Sequence, residues 1–239
     1  KVWEKYTNQK LKPQRLKVFL FSVLSMLFGY TFTIKIMEKG EKLAQGYYSQ
    51  LITEVPEAEK MFHDEELHEQ ALIKMLDEDR LQYVGSMVLG LNDALVELTG
   101  TLAGLSFALQ NNKLVALSGL ITGISATLSM ASSEYLSARS DGNENALKSS
   151  LYTGIMYIFA VALLVLPYLI LPSDKYVSAL ILMLLIVVLI ILAFTYYISV
   201  AKDLPFKKRF LEMATISLSV AALSFAVGVL VKQLLGIDI

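Results

Sequence analysis

The last two-thirds of the chain alternate long apolar runs with short polar breaks. Each run has about 20 residues or more, the length that an α-helix needs to cross the hydrocarbon core of a bilayer. The runs are roughly Val84–Leu109, Leu114–Leu136, Leu151–Leu171, Val177–Val200 and Phe210–Leu235. The pattern therefore predicts an all-α polytopic membrane protein with five transmembrane helices.

Charged residues are concentrated at the N-terminal end. Of the 43 charged residues (21 basic and 22 acidic), residues 1–82 carry 25 and residues 83–239 carry the other 18. This predicts a helical region at 1–82 and a transmembrane domain at 83–239. The net charge of −1 gives no reason to expect nucleic acid as a partner, and the absence of cysteine excludes disulfides and thiolate metal sites.

Basic residues near the spans predict the orientation. The Lys202–Arg209 break carries four Lys and Arg residues, Arg139 and Lys148 flank the second break, and the first and third breaks have one lysine each. The positive-inside rule then places the N-terminal region in the cytoplasm and Ile239 on the far side.

Two features of the N-terminal third affect the topology. Val18–Ile34 is an uncharged run of 17 residues, at the lower edge of spanning length. It predicts either a sixth span or, as we favour, a helix lying along the membrane surface or packed in a small bundle, bracketed by Lys17 and Lys35. From Glu57 to Leu109 there is no proline, and Gly85 is the only early candidate for a break, so the sequence allows one continuous helix from the cytoplasm into the first span.

The first span carries two acids, Asp93 and Glu97, at a spacing that puts both on one helical face. No basic residue accompanies them in that span, and an aspartate at mid-bilayer costs about 2.5–3.5 kcal/mol even on the lenient insertion scale. One interpretation is a protonated pair bonded to neighbouring helices. We favour the other, carboxylates that hold either a proton or a metal ion, as a cation/proton exchanger requires.

Met130 and Glu134 form a second i,i+4 pair near the end of the second span. A methionine in an apolar helix is usually packing. Beside carboxylates, however, a thioether shifts the preference from Mg²⁺ or Ca²⁺ toward transition-metal ions. The pair therefore extends the predicted ion path.

Small residues also recur at four-residue spacing, as Gly100-x-x-x-Gly104 in the first span and Gly119-x-x-x-Gly123 in the second. Such pairs let helices approach closely, within one chain or between two copies. They predict tight packing and give only weak support for a dimer.

A second candidate metal site lies in the N-terminal region. Glu65 and His68 form Glu-x-x-His, and Glu41 precedes them on another predicted helix. A helical Glu with Glu-x-x-His is half of the ligand set of a carboxylate-bridged di-iron bundle. The alternative is a solvated acidic face. The chain has only two histidines, so a complete site needs upstream helices or a two-fold partner.

The first two spans resemble the vacuolar iron transporter family. The resemblance rests on Gly90-Leu91-Asn92-Asp93-Ala94-Leu95-Val96, Ser129-Met130-Ala131 and Glu134-Tyr135-Leu136-Ser137. It implies a homodimer in which ferrous iron leaves the cytosol in exchange for protons. It also implies that Asp93 and Met130 lie on the ion path.

The sequence departs from that family in places. Ala94 and Ser133 stand where the family often has glycine, and the loop at 140–145 is too short for the metal-binding insertion of plant-type members. Residues 36–80 instead resemble the second half of a rubrerythrin-type ferritin-like domain. Prokaryotic proteins that fuse such a domain to this transporter type are the nearest resemblance, which implies a prokaryotic plasma membrane and upstream helices before Lys1.

The predicted function is proton-coupled export of Fe²⁺, with Mn²⁺ as the alternative cargo. Glu41, Glu65 and His68, helped by Glu38 and Glu69, are expected to concentrate or sense the metal ion. The rival hypothesis is a membrane-anchored ferritin-like di-iron oxidase, for which five spans with buried acids are excessive. A purely structural membrane protein leaves the unpaired acids of the first span without a reason.

Overall fold

The structure, a computed structural model, describes residues 14–38 and 83–235. Within these residues the chain forms helices and no strands, as the sequence predicts. The helices are α1 (Arg15–Phe28), α2 (residues 30–38), α3 (Val84–Leu109), α4 (Asn112–Ser140), α5 (Ala146–Ile170), α6 (Tyr176–Ala201) and α7 (Phe206–Leu235).

Helices α3 to α7 are long and apolar enough to cross a membrane, and they coincide with the five predicted spans. The helices extend past the apolar runs where a polar residue can cap them. The Asn111 side-chain oxygen accepts hydrogen bonds from the backbone N–H groups of Lys113 and Leu114, at 3.0 and 3.3 Å. This N-cap lets α4 begin two residues before its apolar run.

Helix α3 is the central helix of the five. It packs against α4, α5 and α7, and half of its most apolar window is buried, the largest share of any span. A Cβ on Gly228 of α7 would lie 2.6 Å from the Gly104 carbonyl oxygen, and one on Gly100 would lie 2.8 Å from the Ser224 hydroxyl. The Gly100/Gly104 pair is therefore used within the chain, to bring α3 and α7 together.

The second small-residue pair, on α4, also packs inside the chain. A Cβ on Gly119 would lie 2.6 Å from a methyl group of Leu102, and one on Gly123 would lie 2.6 Å from a methyl group of Val161. The missing side chains therefore make room for apolar groups of α3 and α5. Neither pair is free to serve as a dimer contact.

The chain divides into two compact units, Lys1–Leu81 with Val200–Asp203, and Gln82–Ser199 with Leu204–Ile239. In the first unit, Gly29 adopts a positive φ of 90° and separates α1 from α2. The run Val18–Ile34 is thus split between helices of 14 and 9 residues, each shorter than a span requires. Among the described residues there is no sixth candidate span.

The continuous helix that the sequence allows from Glu57 to Leu109 is interrupted at one point. Helix α3 begins at Val84, and Tyr83 before it has φ −98° and ψ 10°, outside helical geometry. The ring of Tyr83 stacks on that of Tyr152 at 5.1 Å between centroids, which gives the turn an apolar anchor. Residues 39–82 lie outside the described part of the chain.

The first unit contains an ion-pair cluster of Lys35, Glu38 and Asp203. The Lys35 ammonium lies 2.7 Å from an Asp203 carboxylate oxygen and 2.9 Å from one of Glu38. Only 14% of the Lys35 side chain is exposed, so solvent screens the contacts only in part. Asp203 has φ 52°, a left-handed conformation that aspartate tolerates better than most residues. The cluster ties α2 to the residues that follow the end of α6.

The ion pairs of Lys35 should make the thermal stability of the folded chain depend on pH. The hydrogen bond to Asp203, with a smaller contribution from Glu38, raises the pKa of Lys35 above 10.5 against the opposing effect of burial. A raised lysine pKa stabilises the folded chain fully below 10.5, and that gain is lost as pH rises through the folded value. We expect the first thermal unfolding transition of the wild type to exceed that of Lys35→Gln at pH 8. The gap should close as the pH rises through the raised pKa of Lys35, and a constant gap would contradict the assignment.

Candidate metal-ion path

Asp93 and Glu97 lie near the middle of α3, one helical turn apart. The Asp93 side chain is half-buried and that of Glu97 is exposed on the protein surface. Helix α3 contains no Lys, Arg or His, so neither acid has a basic neighbour on its own helix. The predicted pairing of two acids on one face of the first span is thus realised by a regular helix.

Tyr157 on α5 contacts this acidic pair. Its hydroxyl group donates a hydrogen bond to Glu97 Oε2 with 2.9 Å between the oxygens, and the tyrosine is completely buried. The bond uses one acceptor site of the carboxylate and leaves the others open. Tyr157 therefore fixes the orientation of Glu97 without neutralising its charge.

The approach of α5 to α3 depends on a glycine one turn before Asp93. A Cβ on Gly90 would overlap the backbone carbonyl oxygen of Thr153. The Thr153 hydroxyl lies within hydrogen-bond distance of the Ser86 and Ser149 carbonyl oxygens, at 3.0 and 3.1 Å. The two helices thus cross at Gly90, and this contact sets the distance over which Tyr157 reaches Glu97.

Glu134 lies at the end of α4 and contacts the beginning of α3. The Ser86 hydroxyl donates a hydrogen bond to Glu134 Oε1 at 2.8 Å. Both residues border a mainly polar cavity of about 340 Å³, formed where α3 and α5 begin and α4 ends. Its other polar lining residues are Tyr83, Ser137, Asp141, Asn143, Asn145 and Ser149.

Met130 lies one turn deeper along α4 than Glu134. It is partly buried and packs against the apolar core. Its packing is that of an ordinary core methionine, and its spacing to Glu134 follows from a regular helix.

Three polar residues of α3 share one face. Ser86, Asp93 and Glu97 fall within about 40° of one another on a helix of 3.6 residues per turn. Eleven residues separate Ser86 from Glu97, about 16 Å along the axis at 1.5 Å per residue. The structure therefore connects Glu134 with one end of this face and Tyr157 with the other, with Asp93 between them.

Two buried oxygens near Asp93 lack partners. The side-chain oxygens of Asn92 and Thr99 form no hydrogen bond within residues 14–38 and 83–235. Buried polar atoms are nearly always satisfied by protein or water. Asn92 directly precedes Asp93, whereas Thr99 lies six residues after it along α3.

Among the described residues, no three His, Asp or Glu side chains converge on one point as a preformed metal site does. The acids of α3 and α4 are instead spread along the two helices. The predicted ligands Glu41, Glu65 and His68 lie outside the described residues, so their arrangement stays a prediction.

Sequence reasoning missed three residues of this region, namely Ser86, Thr153 and Tyr157. Each is a hydroxyl residue in an apolar span, a type that usually bonds its own helix and so carries little signal. The polar loop at 140–145 was interpreted only as a connection, although Asp141, Asn143 and Asn145 line the cavity. Only the packing of the helices identifies them.

Comparison with known proteins finds one matching family. The model of the VIT family matches residues 84–144, which cover α3, α4 and the loop after them. The comparison with curated proteins gave no match. The matched segment contains Asp93, Glu97, Met130 and Glu134. The resemblance seen in the sequence is therefore confirmed over residues 84–144: this segment of the multi-pass membrane protein is similar to the VIT family, and the match points to a membrane metal-ion transporter.

Proposed function

We propose that this chain exports Fe²⁺ from the cytoplasm of a prokaryote in exchange for protons, with Mn²⁺ as the alternative cargo. The VIT family match and the five apolar helices support a transporter in the bilayer rather than an enzyme. In this proposal the N-terminus is cytoplasmic, as the basic residues of the Lys202–Arg209 loop favour.

The observation that carries the proposal is the acidic pair at mid-span. Asp93 and Glu97 have no basic residue on α3, and Tyr157 offers a hydrogen bond rather than a charge. A charge at this depth is costly unless it is neutralised or hydrated. Protons and metal ions are alternative ways to neutralise the pair, and their competition for the same oxygens couples the two fluxes.

The path begins at the polar cavity between α3, α4 and α5. Glu134 draws the cation to the cavity, because its carboxylate accepts one hydrogen bond from the Ser86 hydroxyl and keeps other acceptor sites for a metal ion. The ion then passes Met130, whose thioether favours a transition metal over Mg²⁺. It next reaches Asp93 and Glu97, and protons from the far side displace it there.

Glu97 also supports a homodimer. Its carboxylate is exposed on the surface of a single chain at the middle of α3, a position that faces hydrocarbon if nothing covers it. A second copy packed on this face, with water between the two acidic pairs, removes that cost. The dimer and the path are therefore one proposal.

The N-terminal acids have a supporting role in this account. Glu41, Glu65 and His68 concentrate Fe²⁺ near the entrance or sense its level, with Glu38 and Glu69 adding charge. The rival di-iron oxidase predicts O₂-dependent Fe²⁺ oxidation that Glu65→Ala abolishes and Asp93→Asn leaves intact. Oxygen consumption with each variant separates the two functions.

Uptake into proteoliposomes tests the proposal. With a pH gradient imposed, we expect Fe²⁺ uptake that a protonophore abolishes, whereas Mg²⁺ should not enter. Met130→Leu keeps the side-chain volume and should slow Fe²⁺ more than Mn²⁺, because only the thioether is lost. Uptake that ignores the gradient would contradict proton coupling, and equal slowing of both metals would mean that the Met130 thioether does not select between them.

Tyr157→Phe should slow Fe²⁺ uptake about fivefold, the effect of losing one hydrogen bond of about 1 kcal/mol that positions Glu97. The matched control is Tyr168→Phe. Tyr168 is equally buried and its hydroxyl contacts Ser106 at 2.8 Å, away from the acids. Initial uptake rates at fixed gradient compare the two. Equal slowing in both variants would mean that the effect is one of packing.

A further inference from the structure

Helix α1 leaves an apolar stripe uncovered. Leu16, Phe19, Leu20, Val23 and Met26 recur at three- and four-residue spacing along one face. Leu16 is 72% exposed and Met26 84%, with Phe19 at 64%. A continuous exposed apolar stripe on one face of a helix is typical of a contact surface.

Basic residues border the stripe on both sides. On a helical projection Arg15 and Lys17 lie about 100° to either side of Leu16. Such residues can extend their ammonium and guanidinium groups past an apolar face that is immersed in lipid. In the described part of the chain the ion pairs involve Lys35 and Arg209, not Arg15 or Lys17.

Further basic residues precede the stripe in the sequence. Residues 5–34 contain five basic residues and no acid. The basic residues are Lys5, Lys10, Lys12, Arg15 and Lys17. A polybasic segment that leads into an apolar helical face is the pattern that binds anionic lipid headgroups.

The first unit also places α1 close to a bilayer surface. Lys35 on α2 contacts Asp203, two residues after the end of α6, which is a candidate span. Gly29, where α1 ends, precedes Lys35 by six residues, about 9 Å along a helix. The C-terminal end of α1 therefore lies within reach of the lipid headgroups.

We propose that α1 is an interfacial helix that binds anionic phospholipid, with the stripe among the acyl chains and the basic residues on the phosphates. A second copy of the chain is the competing occupant. Its own basic segment would bring like charges together, which favours lipid. The proposal does not depend on which ion the spans carry.

Depth measurements on spin labels test this proposal. The chain has no cysteine, so Val23→Cys and Ser25→Cys each give one label in the full-length protein. Position 23 is in the stripe, whereas position 25 is about 200° away on the helix. In vesicles with phosphatidylglycerol we expect the ratio of oxygen to nickel-chelate collisions to be about fivefold higher at position 23 than at position 25.

The role of the basic residues is tested separately. The same label at position 23 should give a lower ratio in pure phosphatidylcholine vesicles, and also in anionic vesicles when Lys10, Lys12, Arg15 and Lys17 are changed to Gln. Equal ratios in both lipids would overturn the preference for anionic lipid. Water exposure of both positions, or dipolar coupling between the labels of two copies at position 23, would overturn the interfacial helix itself.

Discussion

Asp93→Asn should reduce pH-driven Fe²⁺ uptake to the level of protein-free vesicles. Asparagine has nearly the same size and shape, so packing around α3 is kept. It cannot release a proton, and it offers a cation only a weak neutral oxygen. An exchanger that relies on this carboxylate therefore loses both of its substrates at one site. Initial uptake rates in proteoliposomes of matched protein content measure the effect.

Glu212→Gln is the control for removing an acid. Glu212 is exposed near the start of α7 and pairs with Arg209 at 3.5 Å, a surface contact worth little. This variant should transport at the wild-type rate. Substantial Fe²⁺ uptake by Asp93→Asn, with proton coupling retained, would exclude Asp93 as the exchange site.

Gly90→Ala should destabilise the transmembrane helices by about 1–3 kcal/mol, the usual cost of overpacking a tight contact. The added methyl group would overlap the Thr153 carbonyl oxygen, which belongs to a helix backbone and cannot rotate away. Alanine is the better helix former by about 1 kcal/mol, and this gain is too small to offset the displacement of α5. A lower melting temperature in detergent and slower uptake are the expected results.

Gly85→Ala on the same helix provides the matched control. A Cβ at Gly85 has no neighbour within 4 Å, so only the gain in helix propensity applies. The two variants should therefore shift the melting temperature in opposite directions. If both raise it, α3 and α5 do not pack as closely as the structure indicates.

The spans could be predicted from the sequence because their cause is local. A helix in hydrocarbon must be apolar over a fixed length, and α3 has the predicted bounds of Val84 and Leu109. The helix ends were less predictable where capping decides them, as at Asn111. The break at Gly29 was also missed, although glycine is the residue type that most often adopts a positive φ after a helix.

The candidate path was predictable only in part. An acid in an apolar span stands out in any sequence, so Asp93 and Glu97 were found without a structure. Tyr157 contacts Glu97 across 60 residues of chain, and no local pattern encodes that distance. Gly90 likewise matters only because the backbone of α5 crosses α3 at this residue. Side chains that act through packing therefore appear only once the helices are assembled.

Proton counterflow measured in the same vesicles as Fe²⁺ entry is the most direct test of the central claim. A pH-sensitive dye and an iron-quenched dye, both trapped inside, record the two fluxes together. The account predicts that added Fe²⁺ drives protons out of wild-type vesicles in proportion to the iron that enters, and that Asp93→Asn shows neither flux. Iron entry without any proton movement would contradict it.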